Sequence, residues 1–318
     1  MASEKVPVDK GAVDQGGQSN GSSFASRVTF KVAGEKRTDG GAITSVDYDS
    51  TSPPCWYEPY WTAKQFKSVN ESQWSVAEAA AKIAGAEAPG NREMEDRYKN
   101  GEPYKNFNVG KQGRGMWWIG VANPEMKDDP RARSCNKPAF WVDNGKAPNE
   151  PQAIDTGTLA QLAYDQTRFP SADVTMNPDG RQTVNLPTWI WLGRGTFKET
   201  KVRAELPGTG LWAETTARPV GLHLDPGTDE AQTHPASGEC KINDDGSIGT
   251  PYRRGEAHTF PPCGITYLRA TQGDPYPMHA AVTWVISWEG ADAAHGHLPD
   301  GTSKTTRGVV NEIHVINR

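Results

Sequence analysis

The stretch Tyr276-Pro-Met-His-Ala-Ala-Val-Thr-Trp-Val-Ile-Ser-Trp288 decides the fold of this chain. Large apolar or aromatic residues recur at every second position from Tyr276 to Trp288. Because successive side chains of a strand point to opposite faces of its sheet, this pattern predicts one long strand with an apolar face. The intervening positions are mixed in polarity, which is typical of a sheet that is covered on one side and partly solvated on the other. The stretch therefore predicts an antiparallel sandwich.

The chain before this stretch is rich in turns. The full sequence contains 33 glycines and 24 prolines among 318 residues. Strand-like alternation recurs about every ten residues between positions 174 and 225, and short strands at that spacing are typical of an immunoglobulin-like sandwich. We therefore predict a mainly β protein with a C-terminal immunoglobulin-like antiparallel sandwich and a smaller α+β N-terminal region.

A proline- and asparagine-rich linker from Lys146 to Pro151 marks the predicted domain boundary. It places the sandwich at residues 151–318 and an aromatic-rich, disulfide-linked α+β region at residues 26–150. Residues 1–25 are mostly small or polar, with little to bury, so we expect them to form a flexible tail.

Local patterns predict two helices and one hairpin before the strand-rich part. Apolar residues at helical spacing predict a helix from about Ser72 to Ala84, and Thr158 is predicted to cap a second helix. Alternation from Val28 to Val32, a glycine-rich turn and a further strand through Val46 and Tyr48 predict the hairpin.

The four cysteines lie in loops flanked by proline, glycine or polar residues, and none has the Cys-x-x-Cys spacing of a metal site. An even number of cysteines in such loops predicts two disulfides in an exported protein. Local pairing is the most economical arrangement, with one bridge in each half of the chain. The predicted pairs are Cys55 with Cys135 and Cys240 with Cys263.

Aromatic residues cluster in the N-terminal region and allow two interpretations. Sugar rings present apolar faces to indole and phenol rings, so the cluster could form a platform for stacking on carbohydrate. Alternatively, the rings pad a small core around the first disulfide. The candidate stacking residues are Trp56, Tyr57, Tyr60, Trp61, Trp117 and Trp118.

Several partners are disfavoured by composition and motifs. The net charge is −5, which gives no basic footprint for nucleic acid. No glycine-rich loop with the Gly-Lys-Ser/Thr ending of a nucleotide site is present, and no apolar run reaches the roughly 20 residues that span a bilayer. The opening residues, Met1 to Lys5, resemble a start placed after a removed segment, so we expect a signal segment to be absent from this chain.

Two polar clusters contain residue types that bind metals. Asp292, His295 and His297 lie in a glycine-rich stretch that is typical of a turn, and no further ligand is near them in sequence. The segment from Asn243 to Ser247 is rich in oxygen ligands but lacks the final bidentate glutamate of a calcium loop. We therefore predict surface turns at both places, with no metal and no cofactor.

The C-terminal half resembles a known domain type. The segments Val220–Gly227, Cys263–Tyr267 and Tyr276–Val282 resemble the polycystic-kidney-disease (PKD) type of immunoglobulin-like domain, which combines an acidic glycine turn with an alternating final strand. The resemblance implies a PKD-like sandwich.

A second resemblance covers about residues 157–318. The segments Leu186–Leu192 and Val282–Trp288, together with Cys240 and Cys263, are similar to exported actinobacterial proteins of uncharacterised function, often encoded near pilus-like secretion genes. This resemblance implies a secreted or cell-surface protein of the envelope and brings no catalytic residues with it.

Two functional hypotheses follow from the sequence. The first is an exported, non-enzymatic protein that binds or assembles with an envelope protein or a glycan. The second is a carbohydrate-binding module or glycoside hydrolase that uses the aromatic N-terminal region. For the first, the binding loops are predicted at residues 225–263 and 289–305, which contain His234, His258, His295 and His297.

Overall fold

The computed structural model describes residues 28–33, 53–85, 91–169, 174–195, 197–271 and 275–310. The tail predicted at residues 1–25 lies outside these ranges. So does the second strand of the predicted N-terminal hairpin, through Val46 and Tyr48.

The described residues form a mainly β protein, as the sequence predicts. The strands are β1 (Thr29–Ala33), β2 (Cys55–Trp61), β3 (Gly115–Ala122), β4 (Phe140–Asp143), β5 (Thr175–Asn177), β6 (Pro187–Trp191), β7 (Thr200–Leu206), β8 (Leu211–Asp225), β9 (Ala231–His234), β10 (Glu239–Lys241), β11 (Gly264–Tyr267), β12 (Tyr276–Gly290) and β13 (His295–Val310). The α-helices are α1 (Ala63–Ile83), α2 (Asn91–Tyr98) and α3 (Thr156–Asp165).

The largest sheet is built around β12. It has the order β1-β7-β8-β12-β13, and all its pairings are antiparallel. Strand β10 pairs with the part of β8 that continues beyond the end of β7. Strand β12 is hydrogen-bonded on both sides, so its backbone groups are satisfied while its side chains alternate between core and solvent.

A second antiparallel sheet, of order β5-β6-β11-β9, covers the apolar face of β12. Both sheets contribute side chains to one hydrophobic core, which forms the sandwich. Trp284 lies in this core with 0% exposure, and Ile286 is equally buried. Both residues belong to the apolar face that the alternation predicts, and the burial of that face is confirmed.

The smaller α+β region consists of the sheet β2-β3-β4 with α1 and α2. Helix α1 starts at Ala63, well before the predicted Ser72. The reason is a capping box, in which the Thr62 side chain accepts from the Gln65 backbone and the Gln65 side chain accepts from the Thr62 backbone. This box satisfies backbone donors of the first turn, so the helix extends over Phe66 and Asn70, which are buried.

Helix α3 covers the apolar face of the large sheet near β7 and β8. The Thr215 hydroxyl donates to the Ala160 carbonyl at 2.8 Å. The cap of α3 is Asp155, whose carboxylate accepts from the Thr158 backbone, and not Thr158 as predicted. The carboxylate at residue 155 lies three positions earlier, where it can reach the first free amide groups of the helix.

The core cluster around α3 contains side chains from both sides of the boundary predicted at residue 150. Trp56, Trp118 and Phe140 from the α+β sheet share it with Leu159 of α3 and Val202 of β7. The α+β region and the sandwich therefore pack against each other through shared apolar surface.

The prediction of a loop at residues 289–305 is wrong. This stretch forms the end of β12, a short turn and the first part of β13, with His297 paired to Ser287 and His295 paired to Glu289. The connection is compact because Asp292 and Ala293 adopt positive φ values of 60° and 58°. His295 and His297 consequently lie on an edge strand of the sheet.

Candidate functional site

Two disulfides link the chain in the predicted pairs. Cys55 is bonded to Cys135 with a Cα–Cα distance of 5.9 Å, and Cys240 to Cys263 with a Cα–Cα distance of 5.4 Å. The second bridge joins β10 to the residue before β11 and encloses residues 241–262. Residues 235–262 form an exposed surface around this bridge, and we call it the 235–262 surface.

A tight turn forms one side of the 235–262 surface. The Asn243 backbone donates to the Ser247 carbonyl at 2.7 Å, and the Asn243 side chain donates to the Gly249 carbonyl at 2.8 Å. Asp245 accepts from both the backbone and the hydroxyl of Ser247. The surface turn predicted here is confirmed, and the Asp245 side chain is held by local hydrogen bonds.

The remainder of the surface is a loop without strands or helices that spans residues 249–263. Tyr252 packs edge-on against Trp189 of β6, with ring centroids 6.0 Å apart. Phe260 lies over His234 of β9 at 4.8 Å and is nevertheless 69% exposed. The loop is thus tied to the sandwich at both aromatic contacts and at Cys263, while it presents a phenyl ring to solvent.

Two shallow cavities lie beside this loop. The first has a volume of 380 Å³ and is lined by Pro235, Glu239, Lys241 and Pro262 among others. The second has a volume of 610 Å³ and is lined by the Asn243 turn and by Thr250 and Pro251. Both cavities are in the volume range of small-ligand or side-chain pockets, and they share Asn243 and Gly249.

The charges of the 235–262 surface are divided. Glu239 is hydrogen-bonded to His223 at 2.6 Å, and Asp245 pairs with Arg194 at 3.3 Å. In the described part of the chain, no carboxylate forms an ion pair with Arg253 or Arg254, both of which are exposed. The guanidinium groups of these two residues are therefore available to an incoming partner, while the Arg253 backbone donates to the Glu256 carboxylate at 3.1 Å.

Two titratable groups, Asp245 in this surface and His234 beneath it, have shifted pKa values. Hydrogen bonds from Ser247 lower the pKa of Asp245, so this carboxylate stays charged to a lower pH than an unpaired aspartate does. Burial lowers the pKa of His234, because the charged imidazolium is poorly solvated below Phe260. His234 Nε2 is hydrogen-bonded to the Thr266 hydroxyl at 2.8 Å, which fixes the ring.

The candidate stacking residues of the N-terminal region do not form one platform. Trp56, Tyr57, Trp117 and Trp118 are buried, so these four rings have no free face for a sugar, and their predicted stacking role is corrected. The physical reason is that α1, α3 and the large sheet cover both faces of β2 and β3.

Of the six candidate stacking residues, only the two at the end of β2 have accessible rings. Tyr60 is exposed and Trp61 is partly exposed, with their ring centroids 4.5 Å apart in an edge-to-face arrangement. Trp61 also contacts Phe66 of α1 at 5.4 Å, so one of its faces belongs to the aromatic core.

No group of three or more histidine, cysteine, aspartate or glutamate side chains in the described ranges is arranged to hold a metal ion. Among the helices of those same ranges, none combines the length and apolar character that crossing a bilayer requires.

Comparison with known proteins gives no relative: no family model matches the chain, and neither a curated protein nor a solved structure is significantly similar to it.

The loop predicted at residues 225–263 is correct only in part, because β9 and β10 lie within it and the loop proper follows β10. Nor did the sequence indicate the most informative residues of that loop. Phe260 and Tyr252 lie in a segment whose only visible signal is the surrounding proline and glycine. That signal predicts a loop but does not indicate which ring is exposed and which is packed. His234, one of the histidines of the predicted loop, packs under the Phe260 ring with the ring centroids 4.8 Å apart.

Proposed function

We propose that this protein is exported and acts by binding a protein of the cell envelope through the 235–262 surface. Export is supported by the two disulfides, which persist in oxidising compartments. The resemblance to exported actinobacterial proteins and to PKD-like domains supports the same setting and belongs to this proposal.

The exposure of Phe260 is the main reason for assigning binding to the 235–262 surface. Phe260 is 69% exposed, yet its loop is fixed by the Cys240–Cys263 bridge and by the contact with His234. A large apolar side chain that is held rigidly in solvent loses little entropy on binding, and aromatic residues with arginine are the usual anchors of protein interfaces.

The surroundings of Phe260 fit a protein partner better than a sugar. Arg253 and Arg254 form no ion pair in the described part, so they can pair with acidic side chains of a protein partner. Glu239, Asp244, Asp245 and Glu256 of the same surface can pair with basic ones. The adjacent cavity of 380 Å³ can accept an apolar side chain between Pro235 and Pro262. The accessible pair at Tyr60 and Trp61 is arranged edge to face, so it offers a glycan no extended flat platform.

The proposal is tested by quantitative capture from the cell-envelope fraction of the source cells. Immobilised wild-type protein is compared with Phe260→Ala and with Arg253→Ala/Arg254→Ala. Ile83→Ala is the matched control, since Ile83 is an apolar side chain on α1 that is 89% exposed. We expect one partner to be lost with the 260 and 253/254 variants and retained with the control.

Equal capture by all variants would refute this assignment of the binding surface. A retained species that is a polysaccharide, and whose retention depends on Tyr60 and Trp61, would support the carbohydrate alternative instead.

A further inference from the structure

The two disulfides differ in their exposure to solvent. Cys240 and Cys263 are each 1% exposed, and both belong to the core of the sandwich. Cys55 is fully buried, whereas its partner Cys135 is partly exposed and its sulfur lies 3.3 Å from the exposed Gln152 side chain. A thiolate can therefore approach Cys135 Sγ from solvent, while the other bridge is shielded by the core.

The environment of the Cys55–Cys135 bridge also favours cleavage in which Cys55 leaves as the thiolate. The Ser134 hydroxyl lies 3.2 Å from Cys55 Sγ and at present donates to the Arg131 carbonyl at 2.8 Å. By rotating its hydrogen, this hydroxyl can donate to a thiolate on Cys55. Such a hydrogen bond lowers the pKa of the thiol, and a thiol of lower pKa is a better leaving group.

The bridge holds a segment that has few other attachments. Among residues 124–139 whose burial is described, only Ala132 is buried. The other long-range contacts lie at Cys135, whose backbone packs on Gly120 of β3, and at the end of the segment. There the Lys137 backbone donates to the Tyr57 hydroxyl at 3.2 Å, the Lys137 ammonium pairs with Glu150, and the Ala139 carbonyl accepts from the Tyr98 hydroxyl at 3.0 Å. Cys135 is thus the covalent attachment of an otherwise exposed segment to β2.

We propose that the Cys55–Cys135 bridge is a thiol-exchange site that an external dithiol opens while the Cys240–Cys263 bridge stays closed. A thiolate of the dithiol attacks Cys135 Sγ and forms a mixed disulfide, and the sulfur–sulfur electron pair leaves with Cys55 as a thiolate beside Ser134. The second thiol of the reductant, after losing its proton, then attacks the mixed disulfide and releases Cys135 as a thiolate. Both cysteines take up protons, and the dithiol becomes a cyclic disulfide.

The opening of the bridge releases residues 124–136 from β2, while the contacts of Lys137 and Ala139 hold the end of the segment. The sandwich core is retained, since the second bridge and its surrounding side chains are untouched. The reaction therefore switches the segment between a bound and a free state without unfolding of the protein.

The first experiment measures the selectivity of reduction. The full chain is incubated with dithiothreitol under native conditions, free thiols are blocked with iodoacetamide at intervals, and peptides are quantified by mass spectrometry. We expect Cys55 and Cys135 to be labelled at least about ten times faster than Cys240 and Cys263, because the second pair becomes accessible only when the core opens. Equal rates, or faster labelling of the second pair, would overturn the proposal.

The second experiment tests the leaving-group contact. Ser134→Ala is expected to slow the opening of the bridge several-fold, and Ser134→Thr, which keeps a hydroxyl, should restore most of the rate. A structural role of Ser134 alone would alter stability without this recovery of rate. An opening rate in Ser134→Ala equal to that of the wild type would overturn the role assigned to the hydroxyl.

The third experiment measures the release of the segment. Trypsin cleaves after Lys127, Arg131 and Arg133, and we expect this cleavage to accelerate after reduction and in the Cys55→Ser/Cys135→Ser variant without reductant. Cleavage at Arg203 in the sheet is the internal control and should not change. If the three sites are equally protected with the bridge open and closed, the segment is not released and the proposal fails.

Discussion

Replacement of Trp284 by alanine tests the packing of the sandwich most sharply. The indole is 0% exposed and contacts the Phe169 ring at 4.9 Å. A buried indole removes about 150–250 Å² from water, which at about 25 cal/mol per Å² corresponds to roughly 4–6 kcal/mol. Part of this area is kept by alanine and part of the cavity relaxes, so we expect the free energy of unfolding to fall by about 4 kcal/mol, within the usual range for this change.

The assay is equilibrium unfolding in guanidinium chloride, followed by circular dichroism because the mutation removes a fluorophore. Trp212→Ala is the matched control: Trp212 lies on the neighbouring strand β8, is only partly buried, and packs against Arg203 at 3.8 Å. We expect about 1 kcal/mol for this variant, the scale of an exposed cation–π contact. A loss below about 1 kcal/mol for Trp284→Ala would refute the position of β12 at the centre of the core.

Three further predictions follow from single features of the structure. Thr62→Ala removes the capping box with Gln65 and should lower the free energy of unfolding by about 1 kcal/mol. The measurement is thermal denaturation, with Ser72→Ala at an exposed position of the same helix as the control. An unchanged stability of Thr62→Ala would exclude the cap. Burial holds the pKa of His234 below that of the unfolded chain, so the unfolded state binds protons first as the pH falls. Stability should therefore decrease from pH 7.5 to pH 5, and the decrease should be smaller in His234→Gln; identical pH profiles would contradict this. Cys240→Ser/Cys263→Ser opens a loop of 23 residues and should cost about 3 kcal/mol by the loop-entropy relation; an unchanged denaturation midpoint would contradict the contribution of that bridge.

The parts of the fold that the sequence predicted correctly depend on local periodicity. Strand β12 alternates because one of its faces is covered along most of its length, so the pattern of its residues and the burial of its side chains agree. The disulfide pairs were also predictable, because each half of the chain contains one pair of loop cysteines.

The parts that failed depend on contacts between residues distant in sequence. Nothing in the segment around Trp117 indicates that Phe66 and Tyr98, from two helices, pack on its ring. The composition of residues 289–305 predicts a loop, but their backbone groups pair with those of β12, and this long-range pairing outweighs the turn-forming residues.

The candidate site also depends on contacts between distant residues that the sequence does not reveal. Proline and glycine located its loops, whereas the exposure of Phe260 results from the way the bridge at Cys263 and the ring of His234 hold the loop. The sequence alone does not specify that arrangement.

The central claim is that the 235–262 surface contacts an envelope protein, and site-specific photo-crosslinking tests it most directly. Benzoylphenylalanine is introduced at Phe260 and, separately, at the exposed control position Ile83, and intact source cells are irradiated. The account predicts one discrete cross-linked envelope protein from position 260 and none of that mass from position 83. The same product from both positions, or no product from position 260, would contradict it.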